Sequence, residues 1–513
     1  MPYFLYGIIN NNRLNTLLKI LNKNISLPQI NRQLSLYSKI DWKELIIRLI
    51  NRKAEFKIRE LWKQDTSYTP FPIENIKDFL WYFNVCWFKK AVINEIIEIR
   101  YYSKKINIII WLNTPVGHFI KISGQKEKDL LLTKKDIFKY CSFYTKPNFN
   151  KLINADTPFK SSEEKYIINK FGVLHPALKA YLDDLGINAL QKGKCLKDKL
   201  DFIWNDFSFY EDIFYQITGQ QLISEDSFSD EYITPSVSII IPSYNSEATI
   251  LKTLYSINSQ NIKDYHNIEV IIIDDWSNIS VDTIINKHRS FFKFSLLIIR
   301  FNDSHWRSFA RNIWLSVAQF DNIICLDSDI IIPHNYIREN LSRITLIPYA
   351  IFMSFRKNIN NKDFWLPKIS NKLPPPEQYD DNRLERFVTP WQIWYYSIKK
   401  PTIVRVVSES NYFKKLWYGR TIGFYDLPLT ISGHNMCFNK KYVNHGFCES
   451  FSWWGMEDAY FGAEAISKWV FIIPIISTWV YHIKHPPRSG SINIQKKELK
   501  KNLKLYKTLL SSP

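Results

Sequence analysis

The apolar run Ile323–Ile332 is broken only at Asp327-Ser328-Asp329. A run of this length makes one buried strand, and strands covered on both faces read this way. Carboxylates are rarely buried unless they are paired or bound to a metal. Asp327 and Asp329 at the end of such a strand face one site. A hard cation such as Mg2+ or Mn2+ takes oxygen ligands and keeps substrate phosphates in its shell. The competing reading of these ten residues is a strand that ends in a turn, with Asp accepting from a backbone amide.

The neighbouring elements favour the first reading. Val237–Ile241 reads as a buried strand, followed by the loop Pro242-Ser243-Tyr244-Asn245 and a helix with Ile250, Leu254 and Ile257 on one face. A second strand, Ile268–Ile273, ends in Asp274-Asp275. A helix over Val281–His288, a third strand over Leu296–Phe301 and a helix around Ser308–Ala318 precede the Asp327 strand. Strands alternating with helices predict a parallel α/β sheet. Such sheets bind ligands beyond the carboxyl ends of their strands. Here those ends carry Tyr244/Asn245, Asp274/Asp275, Asn302/Asp303 and Asp327/Asp329. The convergence predicts a metal–nucleotide site.

The 513 residues suffice for roughly two to four domains. A hydrophobic fraction of 46% and an aromatic fraction of 16% exclude a disordered chain. The net charge of +19 would attract anionic partners, but no nucleic-acid signature accompanies it and none is expected as a partner. The six cysteines contain no CxxC pair, which fits a reducing compartment. The first residues make a poor signal peptide, and the Pro474-containing run Trp469–Tyr481 is too short to span a bilayer. These features predict a cytoplasmic protein. Residues 1–230 form a mixed, helix-rich N-terminal region: Leu14, Leu17, Leu18 and Leu21 recur at helical spacing, as do Leu45, Ile46 and Leu49. Ile93–Arg100 and Ile106–Leu112 read as strands, and Leu131–Tyr140 as a helix. Aromatic clusters at Phe79–Phe88 and Phe202–Phe214 fit a core or an acceptor surface. The polar stretch Ser224–Pro235 marks a boundary, with an α/β domain over 235–490 and a basic amphipathic helix within 491–513.

The order of these motifs resembles the inverting family-2 glycosyltransferases of the GT-A fold. The matching residues are Val237–Asn245 (VSIIIPSYN), Ile272–Asp275 with Ser277, Ala310-Arg311-Asn312 and Leu326–Asp329. Trp454–Phe461 (WGMEDAYF) is similar to the galactosyltransferase-type C-terminal segment of the same superfamily. The resemblance implies a Rossmann-like sheet and a nucleotide-sugar donor, most readily a UDP-sugar. It implies that Pro242, Tyr244, Asn245 and Glu247 line the nucleotide pocket. Asp275 would accept from the nucleobase, and Arg311 would orient the pocket acids. Asp327 would touch ribose or metal, and Asp329 a metal (Mn2+ or Mg2+) that bridges the phosphates. Asp458 would be the base that deprotonates an acceptor hydroxyl, with Glu457 binding acceptor or sugar. Capping of the helix that follows is the structural alternative for this pair. His482 would complete the metal shell, with His485 close enough to be confused with it. The acceptor would be a glycan, a lipid-linked sugar or a protein.

Trp276, Trp306, Trp314 and Trp453 stand where that family usually carries Gly, in a chain with 17 Trp and only 14 Gly. Two explanations follow. The substitutions leave a degenerate protein that binds nucleotide-sugar or glycan without turnover, or a stop codon read as glycine has been translated as Trp. Intact acids favour the second. A nucleotidyltransferase is disfavoured, since no Gly-rich basic loop follows the first strand. In the tail, Leu499, Leu503, Tyr506 and Leu510 share a face among lysines. Packing on the catalytic domain is the first expectation, and peripheral contact with the inner membrane face the alternative.

Overall fold

The computed structural model describes residues 3–9, 13–24, 28–40, 43–50, 53–60, 71–72, 90–103, 105–114, 117–130, 137–144, 165–166, 195–200, 235–360, 381, 428–452, 455–468, 470–485 and 491–512. The chain divides into two compact units, one of residues 1–192 with 216–218 and one of residues 193–215 with 219–513.

The first unit is built on a 10-stranded sheet. Its pairings are antiparallel, with Gln29–Ile40 between Lys43–Ile50 and Lys90–Tyr102, and Ile106–Thr114 between Lys90–Tyr102 and Gly117–Gly124. Alternate residues of these strands are buried (Ile97, Ile99, Tyr101; Ile108, Ile110, Leu112), as a sheet with one covered face requires. Helix Leu14–Asn24 forms as its Leu spacing predicts and buries Leu17, Leu18 and Leu21. The expectation of a helix-rich region is otherwise corrected among the described residues. Leu45, Ile46 and Leu49 lie in strand Lys43–Ile50, because strands on both sides take up its backbone groups and override a short helical spacing. Of Leu131–Tyr140, the described part holds a 3-10 turn at Phe138–Tyr140. Phe79–Phe88 and Phe202–Phe214 lie outside the described residues.

The second unit contains an 8-stranded mixed sheet. Its strands are β1 Val237–Ser243, β2 Ile268–Asp274, β3 Ser295–Arg300, β4 Asn322–Leu326, β5 Ile330–Ile331, β6 Ala350–Ile359, β7 Asn435–Asn439 and β8 Phe471–Ile483. Their spatial order is β3-β2-β1-β4-β7-β6-β8-β5. β3, β2, β1 and β4 are mutually parallel, and β7 runs antiparallel to both β4 and β6. Every residue of β1 and β2 is buried, which explains their unbroken Ile/Val runs. The longer described helices are α1 Leu196–Leu200, α2 Ile250–Asn258, α3 Val281–Ile285, α4 Trp306–Asn312, α5 Tyr336–Leu346, α6 Glu457–Ser467 and α7 Ile492–Ser511, with a single turn at Trp314–Val317 after α4. In α2, Ile250, Leu254 and Ile257 are buried, the face the spacing predicts. No described helix is long and apolar enough to cross a membrane.

Candidate active site

The carboxyl ends of β2, β1 and β4 gather the polar residues. Asp274, fully buried, is committed to structure. It accepts from the backbone N–H of Ser277 and of Val281 and pairs with Arg300 at 2.8 Å, which fixes the turn after β2. Asp275 points the other way and accepts from the His305 N–H (2.7 Å) and the Ser304 hydroxyl (3.2 Å). Asn245 has φ +47 and caps the Asn278 N–H, while its own N–H donates to Ser277 Oγ. Pro242 is buried in β1, Tyr244 is exposed, and Glu247 is half-buried on the same loop.

Arg311 is the centre of a second group. It reaches the floor of the site from α4, fully buried. Nη1 donates to Asp458 Oδ1 at 2.5 Å and Nη2 to Asp327 Oδ1 at 3.0 Å, with Glu457 Oε1 at 3.8 Å from Nη1. Its guanidinium lies 5.1 Å from the Phe447 ring centroid. A Cβ on Gly433 would sit 2.3 Å from Cζ, so only glycine there leaves room for the group. Burial alone would lower the Arg311 pKa; Asp458, Asp327 and Glu457 outweigh it, raise the pKa and lock the charge in. Glu457 and Asp458 open α6 after a turn in which Gly455 (φ +95) and Met456 (φ +78) are both left-handed. Burial, then the charge of Asp458, push the Glu457 carboxyl above its ordinary range, although Arg307 and Arg311 pull it down.

Asp329 forms a third group, apart from Arg311. Its Oδ2 lies 3.1 Å from His485 Nε2 and its Oδ1 3.8 Å from His482 Nε2. One ligand atom from each of these residues lies within 4.8 Å of the others. His482 is held by antiparallel pairing of β8 with β5, and its Nδ1 donates to Asn358 Oδ1 at 3.1 Å. That bond leaves Nε2 with its lone pair toward Asp329. Burial lowers the His482 pKa and favours this neutral form. Asp329 Oδ1 is buried without a hydrogen-bond partner. A buried carboxylate oxygen facing neutral imidazole nitrogen is the donor set that a divalent cation satisfies. The residues fit a metal.

Of the expected site residues, Arg311, Asp327, Glu457 and Asp458 come together, and so do Asp329 and His482. Asp327, expected on metal or ribose, turns its Oδ1 to Arg311 and is not a member of the three-residue cluster. Sequence reasoning passed over Asn358, Gly433 and Asn502. It set His485 beside His482 without assigning it a role; the structure puts its ring nitrogen nearer to Asp329. Trp276 (φ +64) and Trp306 (φ +71) are the residues on either side of the Asp275 contact with His305. Trp314 is helical and 1% exposed, its indole N–H without a partner. Trp453 lies outside the described residues.

A mostly parallel sheet that gathers acidic side chains beyond its carboxyl ends, continued by antiparallel strands past β4, defines an α/β fold of the GT-A class. Residues 238–407 match the family described as Glycosyl transferase family 2. Over this segment the chain is similar to the family-2 glycosyltransferases. The chondroitin synthase of Escherichia coli is 24% identical over 289 residues, covering 54% of this chain and 39% of that protein. The poly(ribitol-phosphate) beta-N-acetylglucosaminyltransferase TarP of Staphylococcus aureus is 31% identical over 126 residues, covering 22% of this chain and 37% of that protein. The glucosyltransferase WfaP of Escherichia coli, which acts on GlcNAc-diphosphoundecaprenol, is 41% identical over 93 residues, covering 18% of this chain and 35% of that protein. The match thus spans well under half the length of these relatives. Among solved structures, S. aureus TarS 1–349 with UDP overlaps 49% of this chain and 61% of that chain at 18% identity and a TM-score of 0.31. The mannosyltransferase PcManGT of Pyrobaculum calidifontis, in complex with GDP-Man and Mn2+, overlaps 56% of this chain and 66% of that chain at 13% identity and a TM-score of 0.33.

Proposed function

We propose that this protein is an inverting, metal-dependent glycosyltransferase that moves a sugar from a UDP-linked donor to a hydroxyl of a glycan, lipid-linked or protein acceptor. The observation that carries the proposal is the buried, unpartnered Asp329 Oδ1 beside His482 and His485. Asp329, His482 and His485 would hold the cation, Mn2+ or Mg2+, which when bound supplies Lewis-acid stabilisation of a leaving diphosphate. Asp458 takes the proton of the attacking hydroxyl, and Arg311 fixes its orientation from behind. Asp275 and the loop Pro242–Glu247 are assigned to the nucleotide. Asp275 would exchange its contact with the Ser304 hydroxyl for the nucleobase. Asp327 stays on Arg311 and faces the ribose side. The relatives named above transfer sugars, and their names support the reaction class; the donor and acceptor are this proposal's own.

The enzyme would act in the cytoplasm. Lys496, Lys497, Lys500, Lys501, Lys504 and Lys507 are all exposed on α7 and would draw it to the anionic inner face of the membrane. Replacing these lysines with Gln should release the protein from anionic vesicles; sedimentation that does not change removes the membrane role.

The test is release of diphosphate from UDP-glucose, UDP-N-acetylglucosamine and GDP-mannose, with Mn2+ and with EDTA. Turnover that needs metal and disappears in Asp329→Ala is expected. Donor binding without turnover in any condition would favour a nucleotide-sugar-binding protein instead.

A further inference from the structure

We infer that Asn502, on the C-terminal helix, is a positioning residue for the acidic pair Glu457-Asp458. The inference rests on the role assigned to Asp458. Asn502 is 1% exposed, and its single Nδ2 donates to two backbone carbonyls, Ser452 O at 2.8 Å and Gly455 O at 3.0 Å. These carbonyls bracket the turn that delivers α6. Within it Gly455 turns left-handed at no cost, but Met456 is left-handed too, a conformation that a non-glycine residue keeps only where the surroundings over-determine it. The other side of the turn is closed by Leu499, whose Cδ1 would lie 2.8 Å from a Cβ on Gly455. Tyr506, one turn beyond Asn502, meets Tyr460 of α6 edge-on at 6.4 Å. One face of α7 therefore grips both the entry and the body of the helix whose first two residues are Glu457 and Asp458. The Asp458 contact with Arg311 needs that entry angle. A buried carboxamide that spends both N–H groups on one turn is an expensive way to fill space and a direct way to aim a side chain.

Asn502→Asp keeps the shape and removes both donors; Asn502→Ser keeps one. Diphosphate release from UDP-glucose and UDP-N-acetylglucosamine is measured alongside Asp458→Asn. Asn502→Asp should lower kcat by about a hundredfold, the cost of misplacing a reacting group by about 1 Å, with donor KM unchanged and Asn502→Ser between the two. Wild-type kcat in Asn502→Asp, or an equal loss of kcat and donor binding, overturns the inference. If Asn502→Asp does not fold, Asn502→Ser is read alone by the same rule. Wild-type turnover in Asp458→Asn sinks the role of Asp458 itself. A dead Asp458→Asn beside an active Asn502→Asp sinks only the positioning.

A separate observation carries a second inference. Among the described residues other than glycine, those with positive φ are Asn245, Trp276, Trp306 and Met456. Asn tolerates this region, whereas a bulky aromatic there is an outlier. Both Trp positions flank the Asp275–His305 contact, so the left-handed turns hold the loops that meet there. The geometry points to glycine at 276 and 306 in the producing cell, a UGA codon having been read as Trp. The partnerless, buried Trp314 indole and the excess of Trp over Gly agree. UGA codons at 276 and 306, with glycine in peptides of the native protein, are the expected result. UGG at either position, or Trp in those peptides, overturns it.

Discussion

Two acidic groups of this domain solve the same electrostatic problem differently. Around Arg311, three carboxylates share a buried guanidinium that the chain itself supplies. Around Asp329, one carboxylate meets two imidazoles, and one of its oxygens has no hydrogen-bond partner. The first group is complete as folded. The second keeps a buried oxygen that, on the proposed function, a cation from solution would satisfy. A site that carries its own positive charge holds a proton acceptor in place. A site of the second kind would bind a metal, as the proposed function requires.

Removing the built-in cation should have the largest effect. Arg311→Met leaves the buried Glu457 and the half-buried Asp327 and Asp458 without this shared guanidinium, and urea denaturation should register a loss of about 3–5 kcal/mol. A loss no larger than that of an ordinary surface substitution would mean the acids are not compensated by Arg311.

A half-buried imidazole outside both groups supplies the pH control. Burial, aided by Lys468, lowers His445 from 6.5 to about 4. The folded His445 therefore refuses a proton that the unfolded chain accepts, and stability falls as pH drops from 6.5 towards 4. The full shift corresponds to on the order of 3 kcal/mol. In thermal melts across that range, wild type should lose more melting temperature towards the acid end than His445→Gln does. Parallel curves would exclude the linkage.

The metal group should respond more gently to changes one layer out. Asn358→Ala frees the Nδ1 of His482 and should weaken Mn2+ binding by about 10–100-fold in calorimetry. The stability of the metal-free protein should change little. An unchanged Mn2+ affinity would remove His482 from the ligand set.

Glu457→Gln should give the smallest effect, and its sign is informative. With its pKa raised, Glu457 keeps its proton in the folded state above the pH at which the unfolded chain loses it, so stability falls as pH rises through that interval. The neutral isostere should gain melting temperature over wild type at pH 8 relative to pH 5. The opposite trend would mean that Arg307 and Arg311 dominate this carboxylate.

Much of this arrangement was legible in the residues. The unbroken Ile runs of β1 and β2 could only be strands covered on both faces, and each ended where the polar residues began. The Asp327-Ser328-Asp329 break was legible as a site, but the division of labour within it was not. Asp327 went to Arg311 because α4 and α6 meet there, a contact 147 residues apart in sequence for Arg311 and Asp458. The Leu45–Leu49 spacing misled because pairing on both sides decides a strand and is invisible within eight residues. On α7 the expected stripe included Leu503, which is 38% exposed. The buried line instead runs through Asn502, Tyr506 and Leu510, displaced toward a polar residue that hydrophobic spacing passes over.

The sequence alone determined the alternation of strand and helix, the acidic ends of the strands and the family, since each is written in a few consecutive residues. Tertiary structure decided which acids meet a guanidinium of the protein and which meets two imidazoles. It also decided which glycines and asparagines hold the turns between them. Those choices depend on distances between segments far apart in the chain, and a carboxylate carries no mark of its partner until both are folded into place.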